Sequence, residues 1–132
     1  MESTAPAMTI TILAVDDSAS IRQMVSLTTT GAGHRCVTAT NGAEALALAQ
    51  NTPIDLVLTD QNMPVMDGLT LVRSLRAIPR FSSIPILVLT TETGEEMRAR
   101  GRSAGATGWL TKPFDPATLL AVIDRVTARR VA

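Results

Sequence analysis

The chain has 132 residues, and its 12 basic and 12 acidic side chains give a formal net charge of zero. This length favours one domain, and the balanced charge argues against nucleic acid or an anionic membrane as a partner. Cys36 is the only cysteine, which excludes an internal disulfide. The first six residues have neither the basic nor the apolar region typical of a signal peptide, and no apolar run approaches roughly 18 residues. We therefore expect a cytoplasmic protein with no membrane insertion.

Short apolar runs rich in β-branched residues alternate along the chain with amphipathic segments. The runs lie at 10–15, 35–39, 54–59, 85–90 and 107–110, the second being the weakest. Runs without polar interruption are typical of strands that are buried on both faces, as in a parallel sheet with crossover helices. The pattern therefore predicts five parallel strands.

The segments between these runs have apolar residues three or four positions apart, which predicts a helix after each strand. The predicted helix starts, in chain order, are Ser18, Gly42 or Ala43, Gly68 with Asp67 just before it, Gly94 and Pro116. The last helix is expected to bury Leu119, Leu120, Ile123 and Val126. The fold class is thus α/β, a (βα)5 doubly wound parallel sheet, with a flexible N-terminus at 1–8 and a single domain at 9–132.

Polar side chains follow four of the predicted strands at the point where each strand ends. Asp16 and Asp17 follow the first strand, Asp60 the third, Thr90 the fourth and Lys112 the fifth. The carboxyl ends of parallel strands share one edge of the sheet, and ligands bind beyond that edge where the strand order reverses. We expect these five residues to form one site.

Lys112 is the only lysine, and the other eleven basic residues are arginines. Because the chain uses arginine everywhere else, the lysine at this position indicates that a compact ammonium on a flexible stem is needed there. The planar guanidinium cannot replace it. Lys112 is therefore a candidate site residue.

Three carboxylates brought together repel one another, and a bound cation relieves that repulsion. Mg²⁺ suits such a site because it uses one or two carboxylates and completes its shell with water, phosphate oxygens or a backbone carbonyl, here one from the loop 60–64. With Mg²⁺ and Lys112 to offset the phosphoryl charge, Asp60 is a candidate nucleophile toward phosphorus, and Thr90 adds a neutral donor.

These residues resemble the receiver domains of two-component response regulators over about residues 8 to 130. The resemblance rests on the acidic pair 16–17, the run DQNMP at 60–64 with DG at 67–68, Thr90, and KPF at 112–114. It implies a flavodoxin-like strand order of 2-1-3-4-5. It also implies a regulatory phosphoacceptor that promotes only its own phosphorylation and dephosphorylation, not a classical enzyme.

The resemblance also implies a role for each site residue. Asp60 receives a phosphoryl group from a histidine kinase, and Lys112 contacts that group and carries a cis bond to Pro113. Asp17 and Asp60 hold Mg²⁺ together with the backbone carbonyl of Asn62, while Asp16 helps through water.

A finer resemblance is to the stand-alone chemotaxis regulators of the CheY type, through the segments 90–94 and 105–115 and through Asn62 and Glu92. It implies a chemotaxis histidine kinase as donor, a monomeric protein, and output to the flagellar motor switch. By this resemblance Trp109 takes the switch position, and its ring is expected to turn inward as Thr90 moves toward the phosphate. The arginines after Gly94 make the predicted fourth helix basic, and residues near this helix set partner choice. The sequence therefore indicates the partner less closely than the phosphoryl chemistry.

Several alternatives stay open or are disfavoured. A phosphate sink, which drains the kinase without binding the motor, is the alternative within the same chemistry. A phosphatase of the haloacid dehalogenase type needs an aspartate where Asn62 stands. A flavin binder is disfavoured by Asp16 and Asp17, which repel phosphate, and by 2% aromatic residues. Cys36 is expected to be buried and His34 solvated, and neither indicates metal or redox chemistry.

Overall fold

The computed structural model describes residues 9–92 and 94–131 and contains the predicted alternation of strands and helices. The strands are β1 Thr11–Val15, β2 Arg35–Ala39, β3 Leu56–Asp60, β4 Ile86–Thr90 and β5 Gly108–Thr111. The helices are α1 Ala19–Gly31, α2 Gly42–Asn51, α3 Gly68–Arg76, α4 Glu95–Ala104 and α5 Pro116–Val131. A short 3₁₀ turn, Pro79–Phe81, was not predicted. The segment 1–8, predicted to be flexible, lies outside the described residues.

All five strands are parallel and lie in the order β2-β1-β3-β4-β5. The predicted fold class and strand order are therefore confirmed. The order reverses between β1 and β3, so the crevice of a doubly wound sheet opens where these two strands end.

Side chains alternate between the two faces of the sheet, which produces two separate cores. Leu13 and Val57 pack with residues of α2, α3 and α4 on one face. Ile12 and Leu58, their chain neighbours, pack with residues of α1 and α5 on the other. Because helices cover both faces, these strands are apolar without interruption.

Polar caps start three helices close to the ends of the strands that precede them. Ser18 accepts a hydrogen bond from the backbone N–H of Ile21, and Asn41 accepts one from Glu44. Asp67 accepts one from Thr70 at 2.8 Å, which confirms its predicted place at the start of α3. These caps hold the loops that follow the strands close to the carboxyl edge of the sheet.

Three predictions about burial were wrong in degree. Leu120 is half-buried, because Leu119 and Ile123 occupy the face of α5 that meets the sheet. Cys36 is half-buried because β2 is an edge strand. His34 is also half-buried, and its Nδ1 accepts a hydrogen bond from the backbone N–H of Ile10 at 3.3 Å. Among the described residues, no helix is long and apolar enough to cross a membrane.

Candidate phosphoacceptor and metal site

The three aspartates predicted to form a site lie together at the carboxyl edge of the sheet. Asp16 directly follows β1 and is 2% exposed, and Asp60 ends the neighbouring strand β3 and is 5% exposed. Asp17 is exposed beside them. One carboxylate oxygen from each lies within 4.8 Å of the others, close enough for one small cation to contact all three.

Lys112 reaches this group from the end of β5. Its backbone N–H donates to the carbonyl of Thr90 at 2.8 Å, which extends the pairing of β4 with β5 by one residue. Its Nζ donates to Asp16 Oδ2 and to Asp60 Oδ1, both at 3.0 Å. The peptide bond between Lys112 and Pro113 is cis, as the resemblance implied. One ammonium therefore joins two buried carboxylates from different strands.

The three carboxylates outnumber the described cations beside them: Lys112 contacts Asp16 and Asp60, and Arg22 contacts only the Asp16 backbone carbonyl. Burial raises the pKa of Asp60 and the nearby Asp16 charge adds to this, while the hydrogen bond from Lys112 opposes it. Burial alone lowers the pKa of Lys112, but its hydrogen bonds to the two carboxylates outweigh this and raise it. The ammonium stays charged, and the buried carboxylates still lack positive charge.

This donor set fits Mg²⁺. The ion is small, prefers carboxylate oxygen and retains several waters, and exposed Asp17 leaves the site open to solvent on one side. The spacing of the three carboxylate oxygens permits a shared ion, and the unbalanced negative charge favours one.

The two oxygens of Asp60 differ in what they contact. Oδ1 accepts from Lys112 and, at 3.4 Å, from the backbone N–H of Asn62. Oδ2 accepts no hydrogen bond from any residue within 9–92 or 94–131. Thr90 is 1% exposed, and its hydroxyl accepts from the N–H of Glu92 at 2.9 Å, so its own proton remains available to donate.

The sequence family of this chain follows from its match to known proteins. The family described as the response regulator receiver domain matches residues 12–124. The chain belongs to this family. Receiver domains are regulatory phosphoacceptors and bind Mg²⁺ at an acidic site.

Among its relatives, this receiver domain is 37% identical over 117 residues to a chemotaxis protein CheY homolog of Campylobacter jejuni, covering 87% of this chain and 90% of that protein. It is also 37% identical over 119 residues to the phosphate regulon transcriptional regulatory protein PhoB of Pseudomonas aeruginosa, covering 90% of this chain. It spans only about half (52%) of PhoB.

Two solved structures add detail. The chemotaxis response regulator CheY4 of Vibrio cholerae is 50% identical, with a TM-score of 0.87 over 90% of this chain and 99% of that one. The receiver domain of the sensor histidine kinase PA1611 from Pseudomonas aeruginosa, solved with magnesium coordinated in its active-site cleft, is 27% identical with a TM-score of 0.84 over 92% and 99%. The expected resemblance to CheY-type receivers is confirmed.

Gln61 and Gly68 shape the receiver site, and the sequence analysis missed both roles. Gln61 is buried, its Oε1 accepts from the N–H of Leu69 at 2.9 Å, and its carbonyl accepts from Gly68 at 3.0 Å. A Cβ at Gly68 would lie 2.4 Å from the carbonyl oxygen of Asp60. These contacts close the loop 61–67 back onto the end of β3. The Asp-Gly pair at 67–68 was the available signal.

Ser18 and Arg22 hold Asp16 in place, which the sequence analysis also missed. The N–H of Ser18 donates to Asp16 Oδ1 at 2.9 Å, and an Arg22 guanidinium nitrogen donates to the Asp16 carbonyl at 2.7 Å. Ser18 caps α1, and Arg22 lies in the first turn of that helix. The orientation of the Asp16 carboxylate therefore depends on how α1 packs against the sheet.

Trp109 lies apart from the carboxylates, on β5. It is half-buried, pairs with Val88 of β4 and packs against the core on the α2–α4 face of the sheet. Its strand leads directly into Lys112, and the adjacent strand β4 ends in Thr90. Trp109 is therefore linked to both residues through the backbone.

Proposed function

We propose that residues 9–132 form a single receiver domain in which Asp60 accepts a phosphoryl group from a histidine kinase. The observation that carries this proposal is the Lys112 ammonium, held at 3.0 Å from both Asp16 and Asp60 while Oδ2 of Asp60 stays open. A carboxylate with one oxygen held and one free is oriented for attack.

In the reaction, Asp60 Oδ2 attacks phosphorus, an O–P bond forms and the P–N bond to the kinase histidine breaks. Lys112 neutralises charge on the transferred group, and Thr90 donates its hydroxyl proton to a phosphoryl oxygen. When bound, Mg²⁺ supplies further positive charge, and Asp16, Asp17, Asp60 and the Asn62 backbone carbonyl are the residues that would hold it. The same site then loses the phosphoryl group to water.

We propose a chemotaxis output for this switch. Thr90 and Trp109 report phosphorylation to the surface formed by α4, β5 and α5, which binds the flagellar motor switch. Support comes from the similarity to CheY4 and to the Campylobacter jejuni CheY homolog, both chemotaxis proteins by name. The donor is then a chemotaxis histidine kinase, and the protein acts as a cytoplasmic monomer.

The phosphoacceptor is tested by uptake from acetyl phosphate with Mg²⁺. Asp60→Asn should abolish labelling because it removes the nucleophile, and Asp17→Asn should weaken it through the metal. Asp124→Asn, on the exposed side of α5, is the matched control and should label normally. Undiminished labelling of Asp60→Asn contradicts the assignment.

The output is tested by binding to the N-terminal segment of the flagellar switch protein, with and without a beryllofluoride phosphoryl mimic. Tighter binding with the mimic supports motor output. If the mimic is shown to occupy the site and neither state binds, the phosphate sink becomes the better description.

A further inference from the structure

The indole of Trp109 is covered by an arginine of α4. The Arg98 guanidinium carbon lies over the ring, 5.4 Å from its centroid. Arg98 is exposed, whereas the ring is half-buried and packs against the core. A cation over an indole face is attracted by the ring quadrupole, which at an exposed site changes an equilibrium about two- to five-fold.

The same helix also supplies the surface on which the ring rests. Gly101 lies one turn after Arg98 and is buried, and a Cβ placed on it would lie 3.8 Å from Cε3 of the indole. The ring edge therefore lies against a part of α4 that has no side chain. Arg98 covers the ring and Gly101 supports it, so the position of Trp109 depends on α4.

The three arginines of α4 have different surroundings, which singles out Arg98. Arg102 forms an ion pair with Glu95 at 2.9 Å, so that the carboxylate one turn before Arg98 is already bound. Burial raises the pKa of Asp67, but the hydrogen bonds from Thr70 lower it, and the nearby Arg100 charge adds to this lowering. Arg98 contacts the aromatic ring instead.

We propose that Arg98 is a positioning residue. It holds the half-buried Trp109 indole against α4 and thereby restrains the switch in the resting state. The restraint of the switch rests on the function proposed above, whereas the positioning of the ring does not. If Arg98 stabilises one position of the Trp109 ring, every other ring position is less populated. A ligand that binds better when the ring is elsewhere must overcome that stabilisation.

The positioning is tested in the resting protein by acrylamide quenching of Trp109, the only tryptophan in the chain. Arg98→Met keeps an apolar stem and removes the cation, so it should raise the quenching constant about two-fold. Arg98→Lys keeps a cation and should stay near wild type. Arg100→Met removes the same charge two residues away and should change nothing. Equal quenching of Arg98→Met and wild type overturns the proposal, as does an equal rise in Arg100→Met.

The restraint is tested by titrating each variant with beryllofluoride and Mg²⁺, with thermal stabilisation as the readout. Arg98→Met should bind the mimic about two- to five-fold more tightly than wild type, because less stabilisation of the resting ring position must be overcome. An unchanged midpoint overturns the restraint. If wild type itself does not bind the mimic, the proposed function fails, and the quenching result still decides whether Arg98 positions the ring.

Discussion

Lys112 and Arg76 are partly buried cations at opposite edges of the same sheet, and their partners differ in kind. Lys112, at the carboxyl edge, donates to two carboxylates. Arg76, at the end of α3, donates to the carbonyls of Gly105, Phe81 and Ile84 at 2.9, 2.6 and 2.7 Å. Within the described ranges, Arg76 has no carboxylate partner.

The difference shows two uses of a partly buried positive charge. The planar Arg76 fork joins α3, the 3₁₀ turn and the α4–β5 loop through neutral acceptors, and burial lowers its pKa without an anion to oppose this. Lys112 is a compact charge facing anions that can be protonated, coordinated or phosphorylated. We therefore expect the Arg76 contacts to govern stability and the Lys112 contacts to govern reaction and signalling.

Lys112→Arg should separate phosphorylation from the signalling response. The guanidinium keeps the charge, and we expect phosphoryl uptake from acetyl phosphate to persist. A wide planar group cannot reproduce the two 3.0 Å contacts of one ammonium, so the Trp109 fluorescence response to phosphorylation should be lost. A normal fluorescence response in this variant would mean that arginine serves equally well at position 112. The proposed difference between the roles of Lys112 and Arg76 would then fail.

Arg76→Met should lower the free energy of unfolding by about 3 kcal/mol, because three carbonyls lose their donor at roughly 1 kcal/mol each. Urea unfolding measures this, and phosphoryl uptake by the folded protein should be unchanged. Arg73→Met, an exposed arginine on the same helix, is the control and should cost less than about 0.5 kcal/mol. Equal losses in both variants show that the Arg76 contacts contribute little.

On stability, Asp60→Asn should have a smaller effect than Arg76→Met, a modest gain at neutral pH without Mg²⁺. The folded pKa of Asp60 is raised above its ordinary value of 3.8, so ionisation of this group destabilises the fold at higher pH. Asparagine removes that cost. The gain should shrink as pH falls through the raised pKa and vanish near the ordinary one, where the wild-type carboxyl is protonated too. A gain that is constant with pH has another cause.

The position of the site could be predicted from the sequence. The apolar runs that mark the strands are local signals, and in a parallel sheet they fix where the strand ends meet. Asp16, Asp60 and Lys112 each follow an apolar run, and parallel strands bring such ends to one edge. Asp67 was predictable for the same kind of reason, since a cap is a local feature.

Contacts that depend on how the elements and loops pack were not predictable. Arg76 meets Gly105, 29 positions later, and nothing in the helical pattern of α3 marks it. Gln61 is a polar residue in a loop and would be expected to be exposed. It is buried because its side chain closes the loop onto Leu69. The cover of Arg98 over Trp109 depends likewise on how α4 packs against β5.

The most direct test of the central claim is to locate the phosphoryl group by chemistry. The protein is phosphorylated with acetyl phosphate and Mg²⁺ and reduced with borohydride, which converts an aspartyl phosphate to homoserine, and the peptides are sequenced by mass spectrometry. We predict homoserine at position 60 and unmodified aspartate at 16 and 17. Homoserine at position 16 or 17, or stable phosphate elsewhere with Asp60 intact, would contradict the account.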